Sequence, residues 1–278
     1  MIVDAHHHFW DPAAADYPWL TDELDVIRRA FGPDDLAPLL RSTGVDATVL
    51  VQTRSSHEET VDFLATASQT PWIRGVVGWV DLTDPAIDDV LARLQGGTGG
   101  DRLVGIRHQA HDEPDPAWLV RDDVVRGIEA VARAGVAYDL LIRPRELPAA
   151  LALARRVGEV RLVVDHVAKP PIATGATEPW ASGIAQFREL EHVACKVSGM
   201  VTEADWTGWT QADLGPYVDH VLEIFGPERL LFGSDWPVCL LAATYEQVVD
   251  ATRRALAGLT DDERASVFGL TAARIYRL

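Results

Sequence analysis

Eight short apolar runs, each separated from the next by a longer stretch of helical spacing, constrain the fold of this 278-residue chain more than any other feature. They read "MIVDAHHHFW" (1–10), "DATVLVQ" (46–52), "IRGVVGWVD" (73–81), "RLVGIRHQA" (102–110), "VAYDLLI" (136–142), "VRLVVDH" (160–166), "VACKVSG" (193–199) and "RLLFGSDWP" (229–237). Several are nearly continuous in apolar residues, as parallel strands buried on both faces must be. The intervening segments have a helical period. "PRELPAALALARRVG" sets Leu147, Leu151 and Ala154 on one stripe, with Arg155 and Arg156 near its end and Gly158 as a stop. Eight such alternations predict a (β/α)8 TIM barrel, an α/β fold forming one domain over residues 1–278 and closed by an amphipathic helix in "GLTAARIYRL". The rival, an open doubly wound sheet, lacks support because no Gly-x-Gly-x-x-Gly turn follows any strand. "QGGTGGD" (95–101) precedes a strand and lacks the Lys-Ser/Thr ending of a phosphate loop, so it reads as a flexible connection.

Charge narrows the partners. Twenty-five Lys and Arg against 42 Asp and Glu give a net charge of −17, which leaves no basic patch for nucleic acid or an anionic membrane. No apolar run approaches the ~20 residues that span a bilayer, and no leader with a cleavage site precedes the first strand, so the expected location is cytoplasmic. The two cysteines, Cys195 and Cys239, lie in apolar segments and are expected to be buried free thiols. Nothing in the sequence sets an oligomeric state.

The first strand carries "DAHHHFWD". Three histidines inside an apolar run are too few, and too well embedded, for a tag remnant. Alternation along a strand puts His6 and His8 on one face and His7 on the other. In a barrel of this kind, reactive groups sit at the C-terminal ends of the strands. The polar residues at those ends are His6, His8, Trp10 and Asp11, then Gln52 and Arg54, Trp79 and Asp81, and Arg107, His108 and Gln109. Asp165, His166 and Lys169 follow on the sixth strand, Lys196 and Ser198 (with Glu203 beyond) on the seventh, and Ser234, Asp235 and Trp236 on the eighth. So many ionisable groups at one rim serve no apolar core, since each unpaired burial costs several kcal/mol. They predict a polar pocket. Asp165 alternates away from His166 and reads as structural. His57, His111, His192 and His220, in loops or helices, read as ordinary surface residues.

With "DAHHHFWD", "GIRHQAHDEPDP", "YDLLIRPRELPAALALARR", "LVVDHVAKPPI", "CKVSGMVTEA" and "LLFGSDWPVC" in order from residue 4 to 239, the chain resembles the second large branch of the amidohydrolase superfamily, which includes sugar-acid lactonases. The resemblance implies hydrolysis at the C-terminal rim of the barrel, on an aldonolactone such as L-fuconolactone or L-rhamnonolactone. It assigns the first-strand pair to His6 and His8, the sixth-strand histidine to His166 and the eighth-strand aspartate to Asp235. Strand five departs from the pattern by offering no histidine. His6, His8, His166 and Asp235 would then be the candidate ligands of a divalent metal such as zinc, which accepts such a set with an open position for water; the resemblance leaves the metal requirement open.

In this reading Asp235 is the general base, and His6, His8 and His166 orient water and polarise the carbonyl. Arg107 and His108 hold the carbonyl oxygen or substrate hydroxyls, and Gln52, Trp79, Lys196, Glu203 and Trp236 complete the substrate contacts. The partner is a small-molecule lactone. The alternatives are a dicarboxylate lactone of aromatic breakdown, a decarboxylation, and a non-catalytic sugar-binding barrel.

Overall fold

In the computed structural model, which describes residues 1–158 and 160–278, eight parallel strands lie side by side in sequence order. They are β1 (Val3–His7), β2 (Ala47–Val51), β3 (Ile73–Gly78), β4 (Leu103–His108), β5 (Ala137–Leu140), β6 (Leu162–Val164), β7 (Val193–Val197) and β8 (Leu230–Phe232). The longer crossover helices are α1 (Pro33–Thr43), α2 (His57–Gln69), α3 (Ile87–Gly96), α4 (Asp122–Arg133) and α5 (Leu147–Arg156). Two short helices, α6 (Trp180–Ile184) and α7 (Met200–Glu203), come before the longer α8 (Gln211–Phe225). The tail carries α9 (Tyr245–Ala255), α10 (Asp261–Ala265) and α11 (Thr271–Tyr276). This is the expected (β/α)8 architecture. On α5 the stripe Leu147, Leu151 and Ala154 is buried as its spacing requires. Both cysteines are buried and free. Among the described residues, no helix is long and apolar enough to cross a membrane.

The seam between β8 and β1 is closed at the rim by contacts outside the regular strands. His7 bridges Trp236 in parallel, Asp235 N donates to His6 O at 2.8 Å, and His8 N donates to Trp236 O at 2.7 Å. The approach requires Gly233, where a Cβ would stand 2.7 Å from His6 Cβ. Asp4 locks the same seam, accepting from Ser234 N at 2.8 Å and His6 N at 3.2 Å on one oxygen and from Tyr245 Oη at 3.1 Å on the other.

Three local expectations change. The strands are shorter than the apolar runs, most of all β6 and β8, because the chain leaves the ladder to form the turns that carry the polar residues. In the glycine-rich stretch at 95–101 the first two residues finish α3, most of the stretch is exposed, and its end is packed, with Gly100 buried and a Cβ at Gly99 standing 2.1 Å from Leu64 O. Of the four histidines read as surface groups, all are half-buried, and His192 and His220 pin the backbone carbonyls of Ala154 and Ala181 at 3.0 Å.

Candidate active site

The two turns that build the site are strained. After β6, His166, Val167, Ala168 and Lys169 all have positive φ (52°, 46°, 60° and 50°); after β8, Asp235 does too (58°). For residues with a Cβ this conformation costs roughly 1–2 kcal/mol each, so the surroundings must hold it. Trp180 Nε1 donates to Val167 O at 2.6 Å, and Lys169 N donates to His166 O at 2.7 Å. Gly199 lies against the His166 ring so closely that a Cβ there would stand 2.5 Å from Nδ1. Asp235 is held by its own N–H on His6 O and by the Asp4–Ser234 contact beside it.

The left-handed turn also corrects the reading of Asp165. Asp165 continues the inward alternation of Val163, and the left-handed turn beginning at His166 brings that ring into the barrel as well, so the two do not point apart. Asp165 Oδ1 lies 3.4 Å from His6 Nδ1, and Oδ2 accepts from Arg107 Nη1 at 3.0 Å.

The sequence-predicted cluster converges. Asp235 Oδ1 lies 3.4 Å from His8 Nε2, 3.8 Å from His6 Nε2 and 3.8 Å from His166 Nε2. His8 Nδ1 donates to Val51 O at 2.8 Å, which leaves its Nε2 as a bare lone pair. That lone pair faces His6 Nε2 at 3.1 Å. The contact requires either a proton on His6 Nε2 or a cation accepting both lone pairs. His166 Nδ1 lies 2.9 Å from Ser198 Oγ. Burial pushes His166 down to about 3, against the pull of Asp235, so its ring is neutral at physiological pH. Burial would raise Asp235, but the pull of His166, His8 and Lys169 around it outweighs burial and holds the carboxyl below its usual range, keeping it ionised.

A second layer of charge lies directly beneath. Lys196 Nζ donates to Asp139 Oδ2 at 2.6 Å and lies 2.9 Å from Asp165 Oδ1 and 3.1 Å from His6 Nδ1. Lys196, Asp139 and Asp165 are fully buried and Arg107 nearly so. Two carboxylates thus face two cations, the balance an interior charge cluster needs.

Other expected residues fall in different places. Lys196, read as a hydroxyl contact, is fully buried below the imidazoles. Gln52 supports Arg107, accepting from Nη2 on its backbone O at 2.5 Å and on Oε1 at 3.2 Å. Arg107 Nη1 also lies 3.2 Å from His6 Nε2, so its guanidinium is largely committed within the protein. His108 accepts from Trp79 Nε1 at 3.0 Å, donates to Glu113 Oε1 at 2.8 Å and stacks on Trp118 with centroids 4.2 Å apart. Glu203 accepts from Lys169 Nζ at 2.6 Å. Trp236 is buried edge-on to Phe9 and Phe31. Sequence reasoning missed Asp4 and Asp139. The signal for Asp139 was present, a lone charge inside the apolar run "VAYDLLI".

The sequence pattern of the amidohydrolase family Amidohydro_2 matches residues 3–278. The chain belongs to this family. The amidohydrolase is 40% identical over 289 residues to an L-fucono-1,5-lactonase of Burkholderia multivorans, an alignment covering 100% of this chain and 96% of that one. It is 24% identical to an L-rhamnono-gamma-lactonase of Scheffersomyces stipitis over 63% of this chain and 59% of that one. A crystal structure of an amidohydrolase from Burkholderia multivorans with bound zinc superposes with a TM-score of 0.94 at 40% identity, covering 100% of this chain and 99% of that one.

The donors of this amidohydrolase suit a divalent cation. Ligands around a tetrahedral zinc stand about 3.4 Å apart. His6, His8 and Asp235 present their ligand atoms 3.1 to 3.8 Å from one another. The bare Nε2 of His8, oriented by a carbonyl on its other nitrogen, is the usual arrangement of a metal-binding imidazole.

Proposed function

We propose that this amidohydrolase opens the ester ring of a sugar-acid lactone with water, and that L-fucono-1,5-lactone is its first substrate to test. The observation that carries this reading is the convergence of three imidazoles on the Asp235 carboxylate at the strand ends, in a chain 40% identical to an L-fucono-1,5-lactonase over its whole length. Asp235 takes a proton from the attacking water. Water adds to the lactone carbonyl, and the C–O bond of the ring breaks as the tetrahedral intermediate collapses. Asp235 returns its proton to the departing ring oxygen, leaving a hydroxy acid that ionises. His166, neutral at working pH, orients the water and donates or accepts without adding charge.

His6, His8 and Asp235, with His166 beside them, would hold a zinc ion, which when bound acidifies water and polarises a carbonyl. A carboxylate held below its usual range is a weak base, so the chemistry gains from a water that is already acidic. Glu203 is the candidate contact to sugar hydroxyls, since Trp79 and His108 have committed their ring nitrogens to one another and to Glu113. The pairing of Arg107 with Asp165 favours a neutral lactone over a dicarboxylate, because the guanidinium is already neutralised.

The test is a panel of aldonolactones followed with a pH indicator, with and without added zinc. Acid release from L-fucono-1,5-lactone or a close aldonolactone supports the reading. Binding without acid release would identify a sugar-binding module, and carbon dioxide release from aromatic acids a decarboxylase.

A further inference from the structure

The C-terminal helix reaches the active site from the opposite end of the barrel. One two-residue step below Asp139, Asp165 and Lys196 on their strands are Ala137, Val163 and Ala194, and these cluster with Ile275 and Tyr276 of α11. Tyr276 is 2% exposed, its ring 5.5 Å from Lys196 Nζ. Its hydroxyl lies 2.8 Å from Asp139 Oδ2 and 2.9 Å from Oδ1. An unbroken series of contacts therefore runs from Tyr276 through Asp139 and Lys196 to His6 Nδ1.

We propose that Tyr276 and Asp139 are positioning residues for the reaction, anchoring Lys196 against His6 and Asp165 so that the chain's last helix sets the geometry of the imidazole cluster. Asp139 Oδ2 is shared between Lys196 and Tyr276, but Oδ1 has the Tyr276 hydroxyl as its one side-chain partner among the described residues. Without that hydroxyl, a buried carboxylate oxygen is unpaired and the carboxylate can rotate, drawing the Lys196 ammonium with it. Lys196 Nζ sits among Asp139, Asp165 and His6 at 2.6, 2.9 and 3.1 Å, so a movement that follows Asp139 alters its place against the other two.

The inference rests on the lactonase reading for its kinetic readout, and the test separates the two. Tyr276→Phe keeps the ring and removes only the hydroxyl. Its kcat on the lactone should fall about 10- to 100-fold, the usual effect of losing a second-layer partner, with KM unchanged. Ile275→Val trims the same helix without touching Asp139 and should lower stability while leaving kcat intact. The His6 imidazole nitrogen resonances, assigned with a His6→Asn variant, should shift in Tyr276→Phe while those of His220 stay in place. Normal kcat in Tyr276→Phe, or an equal loss in Ile275→Val, would overturn the proposal. Should Tyr276→Phe fail to fold, Asp139→Asn reads the same link, and wild-type turnover there overturns it. If the wild-type protein opens no lactone, the functional reading fails, and the His6 resonances still decide this inference: unmoved resonances overturn it.

Discussion

Two glycines offer a matched pair of substitutions that measures how tightly His166 is held. Gly44 and Gly199 both have positive φ, 74° and 61°. Space is what distinguishes them: a Cβ at Gly44 meets nothing within 4 Å, whereas one at Gly199 stands 2.5 Å from His166 Nδ1 and 3.1 Å from His166 Cβ. Gly44→Ala should cost only the left-handed conformation, about 1–2 kcal/mol. Gly199→Ala carries the same cost plus about 1–3 kcal/mol for overpacking, and the His166–Ser198 bond adds about 1 kcal/mol when the ring is displaced. The ring cannot absorb the clash by rotating, because His166 Cβ is itself within the tight range and its backbone is fixed by the turn. Urea unfolding of the two variants, with lactone turnover measured in parallel, tests this. Gly44→Ala should keep full kcat, and Gly199→Ala should be the less stable by about 2–4 kcal/mol, summing these two terms, with kcat sharply reduced. Equal stability and equal activity in the two would show that His166 is not packed against residue 199.

Asp4→Ala leaves the Ser234 and His6 amides and the Tyr245 hydroxyl without their carboxylate, and should cost about 3 kcal/mol in urea unfolding and lower kcat through Asp235; an unchanged midpoint would remove Asp4 from the account. Zinc should bind at one ion per chain in competition with a chromophoric chelator, and His8→Asn should weaken it; binding that ignores His8→Asn would place the ion elsewhere. Burial holds His108 below its ordinary 6.5 despite the opposing pull of Glu113. The unfolded chain therefore takes up that proton first as pH falls, and stability contributed by the neutral ring is present above 6.5 and declines below it. His108→Asn should flatten the loss of urea midpoint between about pH 7 and 5; an identical slope would count against the assignment.

The barrel was legible because strands buried on both faces must be apolar throughout, and eight such runs leave few arrangements. His6, His8, His166 and Asp235 were legible because they end those runs. Asp165 was misplaced for a physical reason: the period of two fails at His166, against which it was read, and a left-handed turn of non-glycine residues has no sequence signature. The position of Lys196 depended on depth within the barrel, which alternation does not report. Asp139 and Tyr276, 137 residues apart, meet only because the last helix closes the barrel from below, a contact that no local pattern encodes.

The account's central claim is tested most directly by kcat for lactone opening in Asp235→Asn, with the fold checked by circular dichroism and thermal midpoint. Loss of at least about 10²- to 10⁴-fold, with the midpoint nearly unchanged, is the expected result. Turnover close to that of the wild type would contradict it.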